Sequence, residues 1–541
     1  MKRPAESAGI DFVQWRALVR AHLWIDYSAL FGALGAREAR LTAIRLAFAW
    51  GFLSLFGLGL AGIVWQARDP FLAALLATTT MMLWSGLIVV SQPAGLAAPE
   101  DHDILGFRPV GSKTLFAVRM TALLLPAGET MLLMGWMPVV AFLTRDDGSA
   151  AVAAAAAAAL AGAGLTSTLG IVALYGVLIR FVSPARLARV LAYASGAAGL
   201  LLTAGVMFAT SLFGESEAGA AALGAVLPRD LRTMWFPGAW FASYVALAGG
   251  SRGAAEVTGA VLSAGLFATI LVLLRGRISA VYAARIAEFA TVTKPRAALA
   301  RATWSFLEGE RRAIALLVGS HLRGDVRFQL AIAINLATGV MFTLVGSARG
   351  LPADPFSGGL DASGVMAPLF PVLVVPAQMY QSLVVNASAD AAWLFFVTTA
   401  DRTRAVTAAR DAIAIFVLVP VTLLLAAFYT YAYQHPGHAL LQAALIGVMG
   451  YVSLQGNVLL APRLPFSVPL TGDRSQRFPF FSSLPVFLIG TPLFFGVQWI
   501  AYRGPVYTAT AFAVLFLVSA ALNALTRRRI ARRASRLAYF E

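Results

Sequence analysis

Apolar segments of about twenty residues or more recur from one end of this chain to the other, at roughly 41–66, 70–92, 114–143, 151–182, 186–213, 254–274, 327–348, 365–387, 405–433, 438–461, 478–501 and 504–525. A bilayer core about 30 Å thick takes roughly 20 apolar residues per helix. No water is present there to satisfy a backbone, so only helices and closed barrels can cross it. A barrel would need short alternating segments, and these runs are long and continuous. The sequence therefore predicts an all-α polytopic membrane protein with twelve crossings. Only 13% of its 541 residues are charged, against about 25% in soluble domains, which excludes a soluble globular enzyme. There is no cysteine, so disulfides, zinc–thiolate sites and thiol nucleophiles are excluded as well.

The net charge of +16 would suit a nucleic-acid binder, but in a membrane protein the basic residues first report topology. With the N-terminus inside and twelve crossings, 35 of the 42 basic residues fall on one side; only Arg68, Arg145, Arg229, Arg232, Arg252, Arg349 and Arg503 fall on the other. Losing one crossing would put later basic loops on the wrong side. The expected placement is a bacterial cytoplasmic (inner) membrane with both termini cytoplasmic, a lipid partner and no nucleic acid. Residues 1–40 are not expected to be a signal peptide, because the first long apolar run begins only near Leu41 and carries no small-residue cleavage pattern. Within them Phe12, Trp15, Val19, Leu23, Tyr27, Leu30 and Leu34 recur every three or four positions, which predicts an amphipathic helix at the membrane surface. The expected organisation is this segment, a six-helix half over 41–274, a basic cytoplasmic linker with its own amphipathic helix over 275–326, a second six-helix half over 327–525, and a basic tail over 526–541.

The two halves resemble each other. A shift of 289 places Trp15 on Trp304, Leu18 on Leu307, Gln92 on Gln381, Asp101 on Asp390, Leu105 on Leu394, Phe107 on Phe396, Lys113 on Arg402 and Thr114 on Thr403. Halves with an even number of crossings run parallel, so the reading is two parallel six-helix repeats.

Few residues offer chemistry of their own. Gly106 to Thr114 approaches a phosphate-binding loop, but Ser112 separates Gly111 from Lys113 and no soluble strand precedes it. His435 and His438 have no carboxylate near them in sequence, so no metal or other cofactor is expected. No catalytic constellation is visible. Glu129 lies deep in the third run beside Pro126 and Gly128, and an intramembrane carboxylate there is a candidate for a translocation path or a proton-linked step. Arg119, Arg410 and Asp411, near the inner ends of their runs, read as interfacial anchors. Trp235, Phe236, Pro237, Gly238 and Trp240 read as plain aromatic anchoring ahead of the sixth crossing, in preference to a short re-entrant helix.

The charged elbow between the second and third crossings carries Asp101, Asp103, Leu105, Phe107, Pro109, Val110, Ser112 and Lys113. That pattern, behind an amphipathic helix and two crossings, resembles the transmembrane permease subunit of type-2 ABC exporters, as does the aromatic-Pro-Gly-x-Trp segment. The second elbow, with Asp390, Leu394, Phe396 and Arg402, keeps the order but has Thr398 and Thr399 in place of Pro-Val. The resemblance implies two fused six-span halves that export a substrate, unidentified by sequence, while two copies of a separate ABC ATPase hydrolyse ATP and dock on these elbow residues. The alternative is an ion-coupled secondary transporter with two six-helix halves. The elbow begins acidic and lacks a Gly-x-x-x-Asp-Arg pattern, which counts against it.

Overall fold

A computed structural model describes residues 10–27, 36–67, 69–90, 110–182, 233–275, 309–324, 352–358, 362–386, 401–460, 462–469 and 479–533, with isolated positions at 190, 193, 197, 329 and 332. Apart from those isolated positions, the apolar runs at 186–213 and 327–348 lie outside these residues. So do Asp101, Asp103, Leu105, Phe107, Pro109, Asp390, Leu394 and Phe396. The chain divides into two compact units near Lys294.

In the first unit, α1 (Phe12–Tyr27) is followed by α2 (Ala36–Gln66), α3 (Pro70–Val90), α4 (Ser112–Thr144), α5 (Ala150–Phe181), α6 (Pro237–Ala248) and α7 (Ala254–Arg275). Helix α4 runs unbroken through Pro126 and Pro138. Each proline removes one backbone donor, a loss that packed membrane helices tolerate. At its far end Arg145 gathers the ends of α2 and α4: its guanidinium donates to the carbonyls of Val64 and Ala67 and pairs with Asp147 at 2.8 Å. Ser149 then caps α5 by accepting from the Val152 amide at 3.2 Å. Helices α2 and α4 touch backbone to backbone at Gly57, where a Cβ would fall 2.8 Å from the Met134 carbonyl oxygen.

The aromatic segment before α7 is not a plain anchor. Trp235 and Phe236 are exposed, but Pro237 starts the twelve-residue helix α6, which buries Gly238, Ala239, Phe241, Ala242 and Val245 among α3, α5 and α7. Pro at the first helical position is pre-set for this start. Gly238 is required because a Cβ there would meet Thr79 Oγ1 at 2.1 Å, and the Gly238 carbonyl accepts from Thr78 at 2.9 Å. A helix of this length is too short to cross a bilayer.

The second unit contains α8 (Gly309–Gly324), a single turn α9 (Pro355–Gly358), α10 (Ala362–Val384), α11 (Arg402–Ile413), α12 (Val419–Tyr433), α13 (Pro436–Leu460), α14 (Pro479–Ala501) and α15 (Pro505–Arg533). A π turn, Ala414–Leu418, joins α11 to α12 into one rod. Its cause is local: Pro420 has no N–H to return to residue 416 and its ring crowds that carbonyl, so the ladder widens, with the Val419 amide donating to the Ala414 carbonyl. Gln434, at φ 59, turns the chain from α12 into α13. Among the described residues of this unit the extended structure is a two-residue parallel pairing of β1 (Val385–Asn386) with β2 (Val468–Pro469).

Among the described residues seven helices are long and apolar enough to cross a membrane: α3, α4, α5, α7, the α11–α12 rod, α13 and α15. Helices α2, α10 and α14 coincide with three further apolar runs, although among described side chains α2 is apolar only over Leu53–Gln66. The fold is that of an all-helical membrane protein.

Candidate functional site

The described parts of the two elbows are the helix starts just behind them. In the first unit, α1 packs on the beginning of α4: the Asp11 amide donates to Thr114 Oγ1 at 3.0 Å and Trp15 Nε1 to Thr121 Oγ1 at 3.2 Å. Lys113 lies in the first turn of α4, and Gly111 precedes it with an ordinary φ of −64. The buried Thr114 hydroxyl oxygen accepts from the Asp11 amide, and Gly111 begins α4 without a side-chain cap. In the second unit, α8 packs on the beginning of α11. Its Ile314 and Val318 are buried against Val406 and Ala409, and Glu310 accepts from the Asp401 amide at 3.0 Å. Asp401 in turn caps α11 by accepting from the Thr403 amide at 2.8 Å, placing Arg402 in the first turn.

The same end of the second unit is tied together further. Tyr380 donates to the Arg463 carbonyl at 2.9 Å, the Phe466 amide to the Leu383 carbonyl at 2.9 Å, and Arg529 to the Leu459 carbonyl at 2.6 Å. Phe466 packs edge-on to His321 of α8 and holds a left-handed φ of 58, a strained geometry for a bulky residue.

Arg410 does not reach a surface as an anchor would. Its side chain is 4% exposed and donates to Asp411 Oδ1 at 2.9 and 2.7 Å and to Asn523 Oδ1 of α15 at 3.1 Å. Tyr451 of α13 donates to the same Asp411 oxygen at 2.9 Å, and the guanidinium lies 5.4 Å from its ring centre. A buried charge survives only when paired and hydrogen-bonded. This network, one turn before the π turn, links α11, α13 and α15. Arg119 of α4 is buried too.

Glu129 occupies a groove of about 490 Å³ in the first unit, lined by Trp50, Thr121, Leu124, Leu125, Gly128 and Leu132. Its carboxylate accepts from the indole N–H of Trp50 on α2. The helix is not opened at Pro126; the Pro126 carbonyl accepts from Thr130 at 2.9 Å.

His438 does have a carboxylate close by, supplied from 84 residues upstream: its Nδ1 lies 2.6 Å from Asp354 Oδ2. Asp354 also accepts from the Phe356 amide, and the Phe356 ring lies tilted against His438 and edge-on to Tyr502. Burial pushes the Asp354 carboxyl upward, but the hydrogen bonds from His438, Phe356 and Ser357 outweigh it and hold the group below its ordinary value. Among the described residues no three His, Asp or Glu side chains converge as a metal site would require.

Trp50, Asp354, Tyr451 and Asn523 were the partners that sequence reasoning missed. A polar or indole side chain inside an apolar run was the available signal for three of them, since such groups seek partners across helices. Compared with family models, curated proteins and solved structures, the chain matches none.

Proposed function

We propose that this chain is the membrane-spanning permease of an ATP-driven ABC-type exporter, built from two fused six-span halves and driven by two copies of a separate ATPase. The observation that carries the reading is a correspondence between the units. The spans Lys113–Thr144 and Arg402–Tyr433 are each 32 residues long and are offset by 289 at both ends, the offset at which the sequences align. In both, an amphipathic helix docks on the span's first turns, α1 on α4 and α8 on α11.

An ATPase that presses on an elbow needs a stiff element behind it to transmit the movement. In this reading the elbows, Asp101 to Lys113 and Asp390 to Arg402, are the levers, and α4 and the α11–α12 rod are what they push. Coupling of this kind is a rigid-body transition, and its energy comes from the partner's differential affinity for ATP in the two states. In this reading the chain lies in a bacterial inner membrane with both termini cytoplasmic, an orientation that the distribution of basic residues supports.

Affinity purification of the tagged chain in mild detergent tests the proposal. A soluble ATPase is expected to co-purify near two copies per chain, and to be lost when Asp101 and Asp390 are both exchanged for Lys. A chain that emerges alone from several detergents, or a double variant that retains its ATPase and its transport, overturns it. Isolation without an ATPase would favour an ion-coupled transporter.

A further inference from the structure

Helix α15 runs without a break through Arg527, Arg528, Arg529 and Arg532, and these four do not face the same way. Asn523, Thr526 and Ile530 form its inward line: Asn523 accepts from Arg410, and Thr526 and Ile530 are fully buried. Arg529 lies beside that line and donates to the Leu459 carbonyl. At about 100° per residue, Arg528 and Arg532 stand on the opposite side of the helix. Both are exposed, as is Arg527. Among the described residues no carboxylate pairs with any of these three.

The same outward face is apolar on its membrane side. Leu517, Ala521 and Ala524 are exposed on the side of the helix that carries Arg528 and Arg532, and the two alanines leave a shallow track between the leucine and the arginines. Residues 506–525 rise about 30 Å, the thickness of a hydrocarbon core. The arginines therefore emerge where hydrocarbon gives way to headgroups, with Arg528 and Arg532 about 6 Å apart along the axis. A soluble anion would use the cations and leave the track empty. A zwitterionic lipid would fill the track but bring a cationic group of its own to the arginines. A lipid with a net negative phosphate headgroup satisfies both, and guanidinium forks match phosphate oxygens.

We infer that α15 holds an anionic phospholipid, with its phosphate between Arg528 and Arg532, Arg527 beside them, and an acyl chain along Leu517, Ala521 and Ala524. The inference does not depend on the permease reading; only the assignment of that lipid to the cytoplasmic leaflet rests on the proposed orientation. The inward line fixes the helix, so the outward arginines can be exchanged without touching its packing.

The test is native mass spectrometry of the full-length chain in detergent, titrated with phosphatidylglycerol and, separately, with phosphatidylcholine of the same acyl chains. Phosphatidylglycerol is expected to bind about tenfold or more tighter, and inorganic phosphate should not displace it. Exchanging Arg528 and Arg532 together for Gln should remove that preference, whereas exchanging both for Lys should keep most of it. Exchanging the exposed Arg252 and Arg503 for Gln removes the same charge elsewhere and should leave the preference intact. Ala524→Phe, which fills the track and keeps every charge, should weaken phosphatidylglycerol binding. All variants should melt near the parent. Equal affinity for the two lipids, displacement by phosphate, parent-like binding by the Gln pair or by Ala524→Phe, or an equal loss in the Arg252 and Arg503 control overturns the inference.

Discussion

One methyl group is enough to probe how α6 is held. Gly238→Ala would put a carbon 2.1 Å from Thr79 Oγ1 and 3.2 Å from its Cα, so the neighbour cannot yield by side-chain rotation alone. The variant is expected to lose roughly 1–3 kcal/mol, read as a lower unfolding temperature in detergent. The Arg410–Asp411 pair makes an asymmetric prediction. The Arg410 side chain is 4% exposed and that of Asp411 44%, so Asp411→Ala strands a buried charge whereas Arg410→Ala leaves a carboxylate within reach of water. We expect Asp411→Ala to cost about 3–5 kcal/mol and Arg410→Ala on the order of 1–2 kcal/mol. Equal losses in thermal unfolding would show that Arg410 is compensated by something other than Asp411.

Deleting Ile415 removes the extra residue of the π turn, so an ordinary helical ladder should re-form with the faces of α11 and α12 nearly kept. Arg410 should then still reach Asn523, and the deletion is expected to cost less than Asp411→Ala when measured in the same way; an equal loss would contradict this. The helices themselves were largely legible in the sequence, because a run such as 405–433 has one stable solution in hydrocarbon. The π turn was not, since Pro420 announces a fault in the ladder without saying which way the helix will repair it. Helix α6 was misread as anchoring because tryptophans look alike at an interface and in a packed bundle; the signal was Gly238, small where a helix must approach Thr79. The partners of Glu129 and His438 lie 79 and 84 residues away, and spacing along a chain carries no information about such pairs.

Across the whole molecule, acid should act on the second unit through Asp354. Its carboxyl is held below its ordinary value in the folded state, so the stability it contributes is fully present above the unfolded value of about 4 and is lost as pH falls through the lower folded value. Asp354→Asn should therefore melt earlier than the parent at neutral pH, with the difference shrinking only below about pH 4. A difference that vanished between pH 5 and 7 would contradict this. The last described helix of each unit, α7 and α15, has a different character from its neighbours. Their apolar windows are 22% and 17% buried by protein, against 61% for α13. Lipid tails discriminate poorly between one apolar side chain and another, whereas Gly450 of α13 is hemmed in by Val372 and Leu418. Over generations, then, most of α7 and α15 is free to drift among Leu, Ile, Val and Phe while α13 stays nearly frozen, and a collection of neutral variants would mark out the thinly packed faces of these two helices.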